Sequence, residues 1–127
     1  MSLSPLLAAP TPTTPAVSFV AEEGKLAFWG RSLPENAHDF FRPVHAWVAD
    51  YVNKPALQTE VTFKLEYFNT SSTAHFLRMF KKLEEVMNVG AEITITWHYE
   101  AEDEDMREAG EDFQSLTSIP LKITLAH

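Results

Sequence analysis

The stretch Val61-Thr62-Phe63-Lys64-Leu65-Glu66-Tyr67-Phe68-Asn69-Thr70-Ser71-Ser72-Thr73 changes its period partway along. In its first half Val61, Phe63, Leu65 and Tyr67 alternate with Thr62, Lys64 and Glu66, the period of two expected of a strand with one buried face. Beyond it Phe76, Leu77, Phe80, Leu83 and Met87 return at helical spacing. A strand from Thr59 to Phe68 therefore runs into a helix from Ser71 to Asn88 through a turn rich in hydroxyls. Side-chain oxygens of Asn, Ser and Thr cap helices by accepting from the unpaired N–H groups of the first turn. A cap needs one such residue, and the run from Asn69 to Thr73 offers more than that. It is open to two interpretations, a generously capped helix or a helix start that carries a modifiable hydroxyl.

Moving outward toward the C-terminus, Gly90 is a stop signal for this helix. Ile93, Ile95, Trp97 and Tyr99 alternate with Glu92, Thr94, Thr96 and His98, which predicts a second one-faced strand. The segment Glu100 to Asp112 contains eight of the eighteen acidic residues, and Met106, Ala109, Phe113 and Leu116 fall at helical intervals through and past it. A helix with acidic first turns is expected there, ended by Pro120, followed by a last strand in which Leu121, Ile123 and Leu125 alternate with Lys122 and Thr124.

Toward the N-terminus, a helix is expected up to Val52, with Phe40, Phe41, Val44, Trp47, Val48 and Tyr51 on its apolar side. Pro43 would break its interior, so the spacing predicts that Asp39 caps it and that Pro43 lies in or near the first turn. Val17 to Ala21 and Lys25 to Trp29 form a hairpin around Glu22-Glu23-Gly24. Residues 1–15, with Pro5, Pro10 and Pro15, predict a flexible arm that holds neither helix nor ladder, ahead of a single domain over 16–127.

The element order is ββαβαβαβ. Strands alternating with helices imply parallel pairings through right-handed crossovers. Strands covered on both faces would read as continuous apolar runs, whereas these are polar at every second residue. The expected fold is therefore α/β, a mixed sheet with helices mainly on one face and the other face wet. Trp29 falls with Ala27 on the wet side and is a candidate contact for a partner.

With 127 residues the chain can bury one core without metals or disulfides, and the absence of Cys excludes thiol nucleophiles, thiolate zinc sites and redox pairs. A net charge of -8 argues against nucleic acid and anionic membranes as partners and favours a protein with a basic patch. No apolar run approaches the roughly 20 residues of a membrane span, and Met1 to Pro15 lacks the pattern of an export signal, so a cytoplasmic location is expected.

Other chemistries fit less well. His38, His45, His75, His98 and His127 form no HxxxH or HExxH arrangement, so neither a metal nor another cofactor is expected. The acids of Glu102-Asp103-Glu104-Asp105 lack the order of an EF-hand and are explained by a solvated helix start. Ser71 or Ser72 near His75 pairs a hydroxyl with an imidazole, the beginnings of a small hydrolase, yet no GxSxG elbow or orienting acid accompanies them.

The element order and the polar strand-to-helix turn are similar to STAS domains of anti-sigma-factor antagonists, in which a Ser or Thr at this turn is phosphorylated. More specifically, Leu65 to Thr73 together with Gly30-Arg31-Ser32-Leu33-Pro34-Glu35-Asn36, Trp97-His98-Tyr99, Asp103-Glu104-Asp105-Met106 and Gly110-Glu111-Asp112-Phe113 resembles the SiaC family of bacterial regulatory phosphoproteins, over Pro15 to Phe113. The resemblance implies a switch protein without catalysis of its own. Its partners would be a cognate protein kinase, a PPM-type protein phosphatase and an effector that the unphosphorylated form binds and activates, a diguanylate cyclase in the best-known branch. The implied acceptor is Thr70, with Ser71 and Ser72 as alternates, and Tyr67, Asn69, Ser71 and Ser72 would meet the partner. The chain departs from the family pattern at His98, where Trp and Tyr are expected to adjoin, and at Ala74-His75. A constitutive adaptor of the same fold is the alternative, and self-association as a homodimer is left open.

Overall fold

In the computed structural model, which describes residues 3–126, six strands form one sheet in which spatial order follows chain order. They are β1 (Leu6–Ala8), β2 (Ala16–Val20), β3 (Lys25–Ser32), β4 (Gln58–Phe68), β5 (Glu92–Tyr99) and β6 (Leu121–Leu125). β1, β2 and β3 pair antiparallel, and β3 through β6 pair parallel. The parallel strands are joined through α1 (Ala37–Tyr51), α2 (Thr70–Leu83) with the single turn α3 (Glu85–Asn88), and α4 (Glu104–Leu116). Among the described residues no helix is long and apolar enough to cross a membrane.

The alternation along the strands does what it implies. Leu26, Phe28, Val61, Phe63, Ile93, Ile95 and Trp97 are buried, while the residues between them are not. Phe28 meets Phe41 of α1 and Phe76 of α2, Phe63 meets Phe76 and Phe80, and Trp97 meets Phe113 of α4. Every helix thus packs its aromatics on one sheet face, leaving the other open. Each large side chain buried in this way contributes about 1.5–3 kcal/mol before entropy is subtracted. The hairpin between β2 and β3 turns on Gly24 at φ 65, where a Cβ would collide with the Gln58 carbonyl oxygen.

Several expectations are corrected. Residues 1–15 were expected to hold no ladder, yet Leu6–Ala8 pairs with Val17–Phe19 as the edge strand, and the Trp47 indole donates to the Ser4 carbonyl at 2.7 Å. The prolines bracket this strand, and an edge tolerates their missing N–H groups. The cap of α1 is Asn36 rather than Asp39. Its Oδ1 accepts from the Asp39 N–H and its Nδ2 donates to the Asp39 carboxylate, so Pro43 lies inside the helix. The long helix expected to Asn88 is interrupted at Glu84, whose carboxylate accepts from Thr117 Oγ1 and the Ser118 N–H, and Gly90 follows α3 with φ 84. The Ser118 N–H is the main cause holding the Glu84 carboxyl below its ordinary range.

Candidate functional site

The turn from β4 to α2 lies at the carboxyl end of the parallel strands. Asn69 caps α2 with extended backbone, and its Oδ1 accepts from the Ser72 N–H at 3.0 Å and from Ser71 Oγ at 3.1 Å. Ser72 is fully buried. Its Oγ donates to the Ser32 carbonyl at 3.0 Å and lies 2.7 Å from Ser32 Oγ, and the same carbonyl accepts from the Asn69 N–H at 3.0 Å. The end of β3 is therefore stitched to the start of α2, which gives Ser32 in the Gly30–Asn36 block a structural duty. Thr73 Oγ1 reaches back to the Asn69 carbonyl at 3.4 Å.

Thr70 differs from all of these. It is the first residue of α2, it is exposed, and its hydroxyl makes no hydrogen bond among the described residues. α1 has Asp39 in its first turn and α4 has Glu104 and Asp105, whereas the first turn of α2 has no acid. The positive end of its dipole is not neutralised by the chain itself.

Tyr67 leaves the face on which its spacing put it. The β3–β4 register passes from Gly30↔Leu65 to Arg31↔Tyr67, so Glu66 has no partner and the strand bulges. The bulge shifts the alternation by one residue. Tyr67 turns outward, 47% exposed, with the Arg31 guanidinium 5.6 Å from its ring centroid, and Phe68 turns in against Phe76, Trp97 and Phe113. Trp29, on the same open face, is 44% exposed.

The pairing of Ser71 or Ser72 with His75 does not form. His75 Nδ1 lies 2.9 Å from His45 Nε2 of α1, and the His75 ring stacks on Phe41. Both serine hydroxyls are engaged elsewhere, with Asn69 and Ser32. Burial, with the Arg78 guanidinium next in weight and then His75 and His38, lowers His45 to about 4, and burial and Arg78 lower His75 as well. At neutral pH the two imidazoles are an uncharged hydrogen-bonded clasp between α1 and α2. Residues 45 and 75 are too far apart in sequence for any local pattern to reveal this contact.

Among the described residues no three His, Asp or Glu side chains converge where they could hold a metal ion, and His127 lies outside the described residues. Asp103 in the acidic block caps α4 through the Met106 N–H at 3.0 Å, and Arg107 bridges to Glu111 at 2.9 Å. The Trp97-His98-Tyr99 and Gly110–Phe113 blocks, separate in sequence, meet in space. The Trp97 indole donates to the Met106 carbonyl at 2.9 Å and packs on Phe113, and Gly110 leaves room for its ring.

A family model described as SiaC family regulatory phosphoprotein matches residues 8–126. An uncharacterized protein of Pseudomonas aeruginosa strain UCBPP-PA14 is 32% identical over 113 residues, spanning 89% of this chain and 90% of its own length. The structure of SiaC of Pseudomonas aeruginosa superposes with a TM-score of 0.87 at 30% identity, covering 97% of this chain and 99% of that one. A chain of the crystal structure of the diguanylate cyclase SiaD in complex with its activator SiaC, from the same organism, gives a TM-score of 0.87 at 30% identity, covering 94% and 98%.

Proposed function

This chain belongs to the SiaC family of regulatory phosphoproteins, and on that premise we propose that it is a non-enzymatic switch, reversibly phosphorylated on Thr70, whose unmodified form binds and activates a diguanylate cyclase. A cognate kinase adds the phosphate and a PPM-type phosphatase removes it, in the cytoplasm where the kinase finds ATP. The observation that carries this reading is the division of roles among the hydroxyls. Ser72 is sealed in the core and Ser71 is tied to Asn69, while Thr70 alone of the three is exposed with an unbonded hydroxyl. Asn69 and Ser72 hold the turn in shape. Tyr67 and Ser71, both exposed beside Thr70, belong to the surface that the partner covers.

The consequence of phosphorylation follows from charge. A phosphate on Thr70 adds roughly two negative charges at a helix start that has no acid of its own, so the domain accommodates it. A partner seated over the turn would have to desolvate those charges, and it is released.

The test is fragment mass spectrometry of the protein from its host, paired with capture of the cyclase by unmodified and phosphorylated protein. A phosphate on Thr70 that abolishes capture is the expected result. Equal capture by both forms would leave a constitutive adaptor in place of the switch, and regulation that survives Thr70→Ala would take the acceptor role away from Thr70.

A further inference from the structure

The open face of the sheet contains a second feature beside the turn. At the carboxyl ends of β3, β4 and β5 a cavity of about 800 Å³ lies between Trp29, Lys64, Glu66, His98 and the acids Glu100 and Glu102 that begin the β5–α4 connection. No helix covers this side. The cavity adjoins the turn, because Glu66 lines it and is the unpaired residue of the bulge that turns Tyr67 outward, three residues before Thr70.

Three properties of the lining are not used by the fold. The Trp29 indole is half-exposed and stands on the rim of a hollow instead of in the core. Glu66 and Glu102 make no hydrogen bond or ion pair among the described residues, and Lys64 is the only Lys or Arg in the lining. His98 Nδ1 is buried without a hydrogen-bond partner among the described residues, an arrangement that costs about 1–3 kcal/mol. Burial, and then the charge of Lys64, lower the His98 imidazole from its ordinary value.

An aromatic face and two free carboxylates around one hollow describe the recognition of a flat cation with several N–H donors. Guanidinium stacks on aromatic rings, binds carboxylates through its fork and loses water more readily than an ammonium does. Lysine lacks the plane and the fork. We infer that this cavity receives an arginine side chain presented by the protein partner, its guanidinium stacked on Trp29 and paired with Glu66 and Glu102. The inference rests on the reading of this chain as a partner-binding switch and specifies what the partner brings to it. It also gives the net charge of -8 a local use, since a basic anchor is drawn toward an acidic hollow.

The experiment titrates the isotope-labelled full chain with N-acetyl-arginine methylamide and follows the Trp29 indole and His98 ring resonances, with N-acetyl-citrulline methylamide as the uncharged isostere. Saturable shifts centred on Trp29 and His98 are expected with the arginine probe. Binding should be about tenfold weaker with the citrulline probe, and about tenfold weaker again for the arginine probe when Glu66→Gln and Glu102→Gln are combined, each step removing charge-assisted hydrogen bonds. Both substitutions are on the surface, and an unchanged thermal midpoint confirms the fold. Equal binding of the two probes, or resonances of Trp29 and His98 that do not move, overturns the inference. A Thr70→Ala chain keeps the probe response, so a cavity without arginine selectivity leaves the switch standing, and an unphosphorylated Thr70 leaves the titration unchanged.

Discussion

Replacing Gly110 by Ala tests whether the family's Gly-Glu-Asp-Phe block is there for packing. Elsewhere in an exposed helix this change would stabilise by about 1 kcal/mol, through the higher helix propensity of Ala. Here the added Cβ would stand 2.5 Å from Trp97 Cδ1 and 3.0 Å from Nε1. The indole cannot simply move aside, because it is fully buried, packed between Phe63, Phe68 and Phe113, and bonded through Nε1 to the Met106 carbonyl. Overpacking of this kind costs about 1–3 kcal/mol, and a buried Nε1 pulled from its acceptor about as much again. Set against the propensity gain, the net loss is about 3 kcal/mol, a fall in Tm of roughly 9–15 °C for a domain of this size. Urea and thermal unfolding measure it, and Trp97→Phe, which removes the offending ring atoms, should shrink the penalty in a double-mutant cycle. A Gly110→Ala protein as stable as the parent, or more so, would refute this account of the block.

Ser72→Ala should cost about 1–2 kcal/mol in urea unfolding, since it leaves Ser32 Oγ without its partner, and Thr70 phosphorylation should persist. Lowering the pH from 7 should destabilise the fold. His45 is held at about 4 when folded against an ordinary value of 6.5, so the unfolded chain binds more protons between those values, and the stability present above pH 6.5 is lost on the way down to 4. His75 and His98 are shifted in the same direction, and His45→Gln should flatten the decline seen in pH-dependent thermal scans. Deleting residues 1–9 removes the β1 ladder and the Ser4 carbonyl bonded to Trp47, leaving β2 as a bare edge. A lower Tm and self-association in sedimentation velocity are expected.

The fold was legible wherever one period persisted for two or more turns or pleats. Phe63 and Trp97 announced their strands, and Phe76, Phe80 and Leu83 announced α2. Tyr67 was misjudged because alternation assumes an unbroken register. The adjacent pair Tyr67-Phe68 was the available hint, as neighbouring residues cannot both face the core of a regular strand. Asn36 caps α1 although Pro43 follows seven residues later, because this helix keeps a proline in its interior, which a rule placing proline in the first turn does not anticipate. At the site, a cap somewhere in the run from Asn69 to Thr73 follows from local chemistry, whereas the choice of Thr70 among the hydroxyls follows only from the family resemblance. The sealing of Ser72 by Ser32, the clasp of His45 with His75 and the hollow beside Trp29 depend on which segments cross, and only the folded chain determines that.

Because each strand lies beside the one before it in the sheet, the fold can be assembled in the direction of synthesis. Pairing any two neighbouring strands closes a single hairpin or a single helical crossover, which keeps the entropic cost of each closure low for a sheet with three parallel pairs. β1 through β4, carrying α1, can settle while α2 and β5 are still being made, and each later helix finds a prepared apolar face on arrival. The hydroxyl-bearing turn can therefore take shape once β3 and α2 have met, before β6 joins the sheet.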